Sequence, residues 1–174
     1  MSSLKIGICG LGTVGSGVVN IFNAHHGLIQ QRCNNDLELL HIGARRDNSD
    51  CDTSEYRVSR DIFEVVRDPE VDVVVELIGG TTVARDLVTQ AIEAGKHVVT
   101  ANKALIAEFG NELIALAERA QVALRFEAAV AGGSPIIKVL RESLAANVVS
   151  GVAGIINGTG NFILTEMANE GRSF

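Results

Sequence analysis

Apolar residues fall along this chain in two alternating rhythms. Short β-branched runs of strand length alternate with longer stretches whose apolar residues recur every three or four positions, the signature of a parallel α/β sheet. Residues 6–9 predict a first strand and residues 14–24 a helix, with Val14, Val18, Ile21 and Phe22 on one face. Polar residues 30–36 predict a loop, 37–44 a second strand and 45–55 a charged loop. Residues 61–66 predict a short helix closed by Asp68-Pro69. The β-branched run 71–78 predicts a buried central strand. Gly79-Gly80 ends it, at the carboxyl edge where open α/β sheets bind ligands. A helix over 82–94 stops at Gly95, and a strand follows over 97–100. Residues 105–120 predict a helix, irregular near Gly110, and 122–126 a strand.

The rhythm breaks near residue 130. Ser134 is expected to cap a helix that has Pro135 at its first position and runs to about Leu144. Residues 148–156 predict a strand and 162–168 the start of a helix. The fold expected is therefore α/β: a Rossmann-type parallel sheet with helices on both faces over residues 1–130, and over 131–174 the incomplete beginning of a second domain.

Composition narrows the reading. The 174 residues are 47% hydrophobic and 21% charged, which fits a globular chain and excludes a disordered one. A net charge of −6 without a basic block argues against nucleic acid and anionic membranes as partners. Charged or polar residues interrupt every apolar run before it reaches spanning length, and no signal-type h-region opens the chain. Cys9, Cys33 and Cys51 form no C-x-x-C pair, as expected of a reducing cytoplasm, with Cys9 a small core residue. His25 and His26 are adjacent and so face different ways on a helix, which suits a solvated helix end better than a metal site.

Gly10-Leu11-Gly12-Thr13-Val14-Gly15 is G-x-G-x-x-G directly between strand and helix. Gly10 permits the tight turn, Gly12 lets backbone approach a pyrophosphate, and Gly15 lets the helix lie close to the sheet. The helix start at Thr13 and Val14 offers unpaired N–H groups and a partial positive charge to the phosphates. The alternative is a glycine-rich turn with no ligand. Cofactor choice belongs to the end of strand two, where an acid binds a ribose 2′-hydroxyl and an arginine a 2′-phosphate. Arg45, helped by Arg46, is the expected phosphate clamp, which favours NADP(H). Asp47 leaves NAD(H) open, and two solvated surface arginines are the alternative reading. Lys103 follows a strand end, where an ammonium can stabilise charge on a carbonyl oxygen during hydride transfer; an exposed lysine at a helix start is the plainer alternative. Glu76 is expected near the end of its strand, hydrogen-bonded and without a catalytic role.

Four segments in register extend this picture: GLGTVGSG over 10–17, Ala101-Asn102-Lys103, EAAVAGGSPII over 127–137 and INGTGNFIL over 156–164. Together they resemble homoserine dehydrogenase, across essentially the whole chain. The resemblance implies an oxidoreductase that interconverts aspartate 4-semialdehyde and homoserine with NAD(P)H, on the route to threonine and methionine. It implies that Lys103 contacts cofactor and substrate, with Thr100 and Gly79 lining the nicotinamide side. It further implies a monovalent cation, usually sodium, on Glu127, Val130, Gly132 and Ser134, and a substrate near Gly158, Thr159 and Asn161. By residue pattern alone the third segment is only a hinge, and Thr159 only a helix cap. The chain departs from the family where Gly160 replaces a usual second threonine. The family's acidic residue and lysine for substrate binding and proton transfer fall beyond residue 174, as do most of its dimer contacts, so the chain alone is expected to be inactive and the full-length protein to be a homo-oligomer. Two other readings remain: a glucose–fructose oxidoreductase type, which usually shows Glu-Lys-Pro where this chain has Asn102-Lys103-Ala104, and a non-catalytic dinucleotide-binding module.

Overall fold

The computed structural model describes residues 3–33, 35–154, 157–171 and 173. The chain divides into two compact units, Met1–Ser134 and Pro135–Phe174. The first holds β1 (Leu4–Cys9), α1 (Thr13–Cys33), β2 (Leu37–Gly43), β3 (Arg57–Ser59), α2 (Ile62–Arg67), β4 (Val73–Glu76), α3 (Thr82–Glu93), β5 (His97–Thr100), α4 (Lys103–Arg119) and β6 (Leu124–Arg125). The second holds α5 (Ile136–Lys138), a π-helical continuation over Val139–Ser143, and α6 (Gly158–Glu170).

Six parallel strands form one sheet in the order β3-β2-β1-β4-β5-β6. Alternate residues feed opposite faces, as the period of a strand requires, except where a register shift opposite Ile6 and Gly7 puts Leu39 and Ile42 of β2 on the same face. Ile8, Leu39 and Ile42 pack with Val19 of α1 on one face. Cys9, Val74 and Val98 pack on the other with Val65 of α2, Leu87 of α3 and Leu113 of α4. Helix α3 shows why these segments are helical: its buried residues Ala84, Leu87, Val88, Ala91 and Ile92 recur at intervals of three and one.

Several local expectations are corrected. Helix α1 continues through the polar residues expected to be a loop and ends at Cys33, with a break in helical geometry at His25 (φ −126°, ψ 17°). The histidine pair therefore lies at a kink rather than a helix end, and His26 Nε2 donates to Leu37 O at 2.7 Å while its ring packs on Phe22. Val14 and Ile21 are exposed, while Gly15, Ser16 and Val19 face the sheet. The small residues let the first turn approach closely, which rotates the buried stripe by one position. Gly110 sits inside an unbroken α4, buried, where a Cβ would lie 3.4 Å from Ile106 Cγ2.

In the second unit, Pro135 rather than Ser134 occupies the cap position, and no side chain caps the helix. Residues 148–154 form no strand, and Val148 is 98% exposed; no neighbouring strand is present among the described residues to pair with them. Residues 155 and 156, the end of that expected strand, lie outside the described residues.

Candidate functional site at the carboxyl edge of the sheet

Parallel register sets the last residues of four strands in one row. Gly43 pairs with Cys9, Cys9 with Glu76 and Glu76 with Thr100. The strand order reverses between β1 and β4, which is where open α/β sheets take their ligands. The residues singled out from the sequence follow this row by a few positions: Gly10, Gly12, Thr13, Val14 and Gly15 after β1, Arg45 and Arg46 after β2, Gly79 after β4, and Lys103 just past Thr100 of β5.

The glycine turn is built by close backbone approach. Gly10 adopts φ +105°, and a Cβ there would lie 2.7 Å from Leu77 O. Its N–H donates to Gly43 O at 2.8 Å, and Leu77 N–H donates to Cys9 O at 2.8 Å, so the turn is stitched to both neighbouring strand ends. A Cβ on Gly15 would lie 2.1 Å from Gly10 O, so this glycine folds the helix start back onto its own turn. Gly12 faces open space, with no atom within 4 Å of where its Cβ would be. Backbone N–H groups at a helix start, beside a position without a side chain, fit the phosphates of a dinucleotide.

Arg45 and Arg46 are exposed just beyond β2. Two residues that the sequence did not flag frame them. Arg60 grips both carboxylate oxygens of Asp47, at 2.8 and 2.9 Å, and donates to Ala44 O at 3.3 Å. Asp47, the acid that left NAD(H) open, is thereby engaged by a guanidinium. Asn48 Nδ2 donates to Leu11 O at 2.9 Å and ties this loop to the glycine turn. Arg60 directly follows β3, a three-residue edge strand too short to carry a sequence signal, and Asn48 lies in the loop between β2 and β3.

The ends of β4 and β5 share a buried polar network. Glu76 is wholly buried. Its Oε1 accepts from Ile78 N at 2.9 Å and Gly79 N at 3.3 Å, and its Oε2 accepts from the Thr100 hydroxyl at 2.5 Å. Thr100 Oγ1 in turn accepts from Asn102 N at 3.0 Å. Asn102 Nδ2 donates to Gly80 O at 2.6 Å, while its Oδ1 caps α4 by accepting from Leu105 N at 3.1 Å. Lys103 is thus the first residue of a capped helix, exposed, with no acid in that turn. A cation at a helix N-terminus opposes the helix dipole.

Glu127 opens a short 3-10 turn, and Val130 N donates to Glu127 O at 3.1 Å. Ala131 and Gly132 follow in left-handed conformation and Ser134 is exposed. In the second unit, Gly158, Thr159 and Asn161 form the first turn of α6. Asn157, not Thr159, caps that helix, its Oδ1 accepting from Gly160 N at 2.8 Å. An amide at the cap position, three residues upstream of Gly160, reaches the third N–H of the helix, which a hydroxyl inside the first turn cannot.

Comparison with known proteins gives the chain its relatives. Residues 10–127 match the family model described as homoserine dehydrogenase, NAD binding domain, and residues 135–174 the model described as homoserine dehydrogenase. A homoserine dehydrogenase of Pseudomonas aeruginosa is 56% identical over 174 residues, covering 100% of this chain and 40% of the relative. One from Bacillus subtilis is 39% identical, covering 98% of this chain and 40% of the relative. The crystal structure of a homoserine dehydrogenase from Thiobacillus denitrificans superposes with a TM-score of 0.86 at 48% identity, over 98% of this chain and 40% of that one. The chain thus spans about 40% of the length of the curated relatives it matches. The chain belongs to the homoserine dehydrogenase family, and residues 10–127 are its NAD-binding domain.

Proposed function

We propose that this chain supplies the dinucleotide site of an NADP(H)-preferring homoserine dehydrogenase, which interconverts aspartate 4-semialdehyde and homoserine by hydride transfer. The observation that carries the reading is the single row of strand ends, which sets the glycine turn, the Gly79 turn, Thr100 and Lys103 along one sheet edge. The nicotinamide supplies or accepts the hydride. The chain's own residues hold and polarise: Thr13, Val14 and the glycines receive the pyrophosphate, and Arg45 and Arg46 receive a 2′-phosphate. Lys103 stabilises the charge that develops on the carbonyl oxygen. Gly158, Thr159 and Asn161 contribute to the semialdehyde pocket. One carboxylate from Glu127 with the carbonyls of Val130, Gly132 and Ser134 is an oxygen-only set of the kind a hard cation takes, which supports a sodium site. Three free cysteines support a cytoplasmic setting. No helix among the described residues is long and apolar enough to cross a membrane.

The test is calorimetric titration of the chain with NADPH and NADH side by side. NADPH is expected to bind more tightly, by about 10- to 100-fold, the worth of a charge-assisted guanidinium–phosphate pair. Arg45→Asp should abolish that preference. Equal or reversed preference in the wild-type chain removes Arg45 from its role, and binding of neither dinucleotide refutes the reading. Homoserine oxidation by residues 1–174 alone is expected to be undetectable; ready turnover would show that the machinery lies within them.

A further inference from the structure

Strand β4 is three valines followed by a glutamate, and the glutamate is as buried as Val74. An isolated carboxylate in such a place is costly unless hydrogen bonds satisfy it. Here every partner is a donor. Two backbone N–H groups from the turn after β4 converge on one oxygen and a hydroxyl from the end of β5 reaches the other. Glutamine could still accept from the two turn amides but not from the hydroxyl as well, because in place of the second oxygen it offers an N–H₂ group. An apolar residue would leave the two turn amides and the hydroxyl with nothing to meet.

The position matters as much as the bonding. The turn that Glu76 holds carries two consecutive glycines in left-handed conformation, Gly79 (φ +71°) and Gly80 (φ +70°), both exposed above the buried carboxylate. The other partner, Thr100, passes the constraint to Asn102, and Asn102 returns it to Gly80 O while capping the helix that begins at Lys103. The bonds run from Glu76 through Thr100 and Asn102 to Gly80, and the ring closes through the chain neighbour Gly79, whose N–H donates back to Glu76. It locks together the two turns that flank the β4–β5 part of the edge.

We propose that Glu76 is a positioning residue whose buried carboxylate, acting through Thr100 and Asn102, fixes the Gly79–Gly80 turn and the start of α4 as one shelf for the nicotinamide half of the dinucleotide. The adenine half is received elsewhere, by the glycine turn and the arginines after β2. Glu76 therefore governs one end of the ligand and not the other. The inference rests on the dinucleotide reading above and deepens it.

The experiment compares a whole ligand with its adenine half. NADPH and 2′,5′-ADP are titrated into the wild-type chain, Glu76→Gln and Asn102→Asp. The second variant keeps the oxygen that caps α4 but replaces the amide that reaches Gly80 O, so it tests the ring should Glu76→Gln fail to fold. Each variant is expected to lose about tenfold in NADPH affinity, the order of one hydrogen bond's effect, with 2′,5′-ADP affinity unchanged within about twofold. A merely structural role would lower both affinities by the same factor, because unfolding removes both sites together. Equal loss for the two ligands, or no loss for either, overturns the proposal while leaving the dinucleotide reading intact. A wild-type chain that binds neither ligand overturns that reading, and the proposal falls with it.

Discussion

Removing the carboxylate of Asp68 should unfasten the opposite, amino edge of the sheet without touching the cofactor edge. Asp68 is buried between α2 and β4. Its Oδ2 takes His41 Nδ1 at 2.8 Å and Arg57 at 2.5 Å, and its Oδ1 takes Glu70 N at 3.0 Å. The buried Lys96 donates to Asp68 O at 2.7 Å and Val71 O at 2.6 Å. A carboxylate only accepts, so His41 Nδ1 carries the proton, and its Nε2 is a buried atom with no partner. In Asp68→Ala, His41 has no partner at either nitrogen. One buried unsatisfied group costs about 1–3 kcal/mol. The half-exposed Arg57 pair adds about 1 kcal/mol or less. The expected loss is about 1–4 kcal/mol, out of a typical 5–15 kcal/mol. Urea denaturation followed by circular dichroism at pH 7 should show the midpoint falling by about 0.5–2 M. Asp68→Asn should fall between, since its oxygen still serves Glu70 N.

The pH dependence follows from the same geometry. Burial pushes the Asp68 carboxyl up, but the Glu70 N–H, His41 and the Arg57 guanidinium together outweigh it and hold the group below 3.8. A depressed carboxyl stabilises the fold fully above its unfolded value and loses that contribution as pH falls through the folded one. The gap between wild type and Asp68→Asn should therefore be widest at neutral pH and close below about pH 3.8. A loss in Asp68→Ala under about 0.5 kcal/mol, the scatter of ordinary surface substitutions, or a gap that grows on acidification, would refute the reasoning.

Two further outcomes are expected. Gly10→Ala forces a Cβ to within 2.7 Å of Leu77 O at a φ of +105°; it should destabilise the chain by about 1–3 kcal/mol and abolish the NADPH-induced thermal shift. Mass spectrometry after brief iodoacetamide treatment of the native chain should find Cys33 alkylated first, since it is exposed. Cys9 should stay unmodified until denaturation, because burial first, and then the charges of Glu76 and Asp61, push its thiol far above the usual range.

Much of the sheet could be read from sequence because its strands are short β-branched runs with glycine or proline between them. The run 97–100 is a strand at the expected residues, and residues 82–94 differ from α3 by one position. What escaped was set by tertiary partners. Strand β3, Arg57-Val58-Ser59, exists because β2 has a free edge for it, and its sequence carries no period. The last turns of α1 are polar because they are solvated, which resembles a loop when only composition is visible. Residues 148–154 carry a strand's composition, but composition cannot provide a neighbour. At the site, the glycine turn and Lys103 announced themselves by motif. The apolar run places Glu76 at its strand end, where hydrogen bonding is expected. Its link through Thr100 and Asn102 to Gly80 is not legible in the sequence, because residues 22 to 26 positions apart meet only through the pairing of β4 with β5.

The ring around Glu76 also sets how that edge breathes. The amides of Ile78, Gly79, Asn102 and Leu105 all donate to side-chain oxygens of the ring rather than to a neighbouring strand or turn of helix. None can be freed for exchange with solvent deuterium by the fraying of a single element, because each acceptor is held from the other side. The four should exchange as one cooperative unit with a shared opening energy, although they belong to two separate connections. Local opening at this edge is then all-or-none: a ligand that holds either turn protects both.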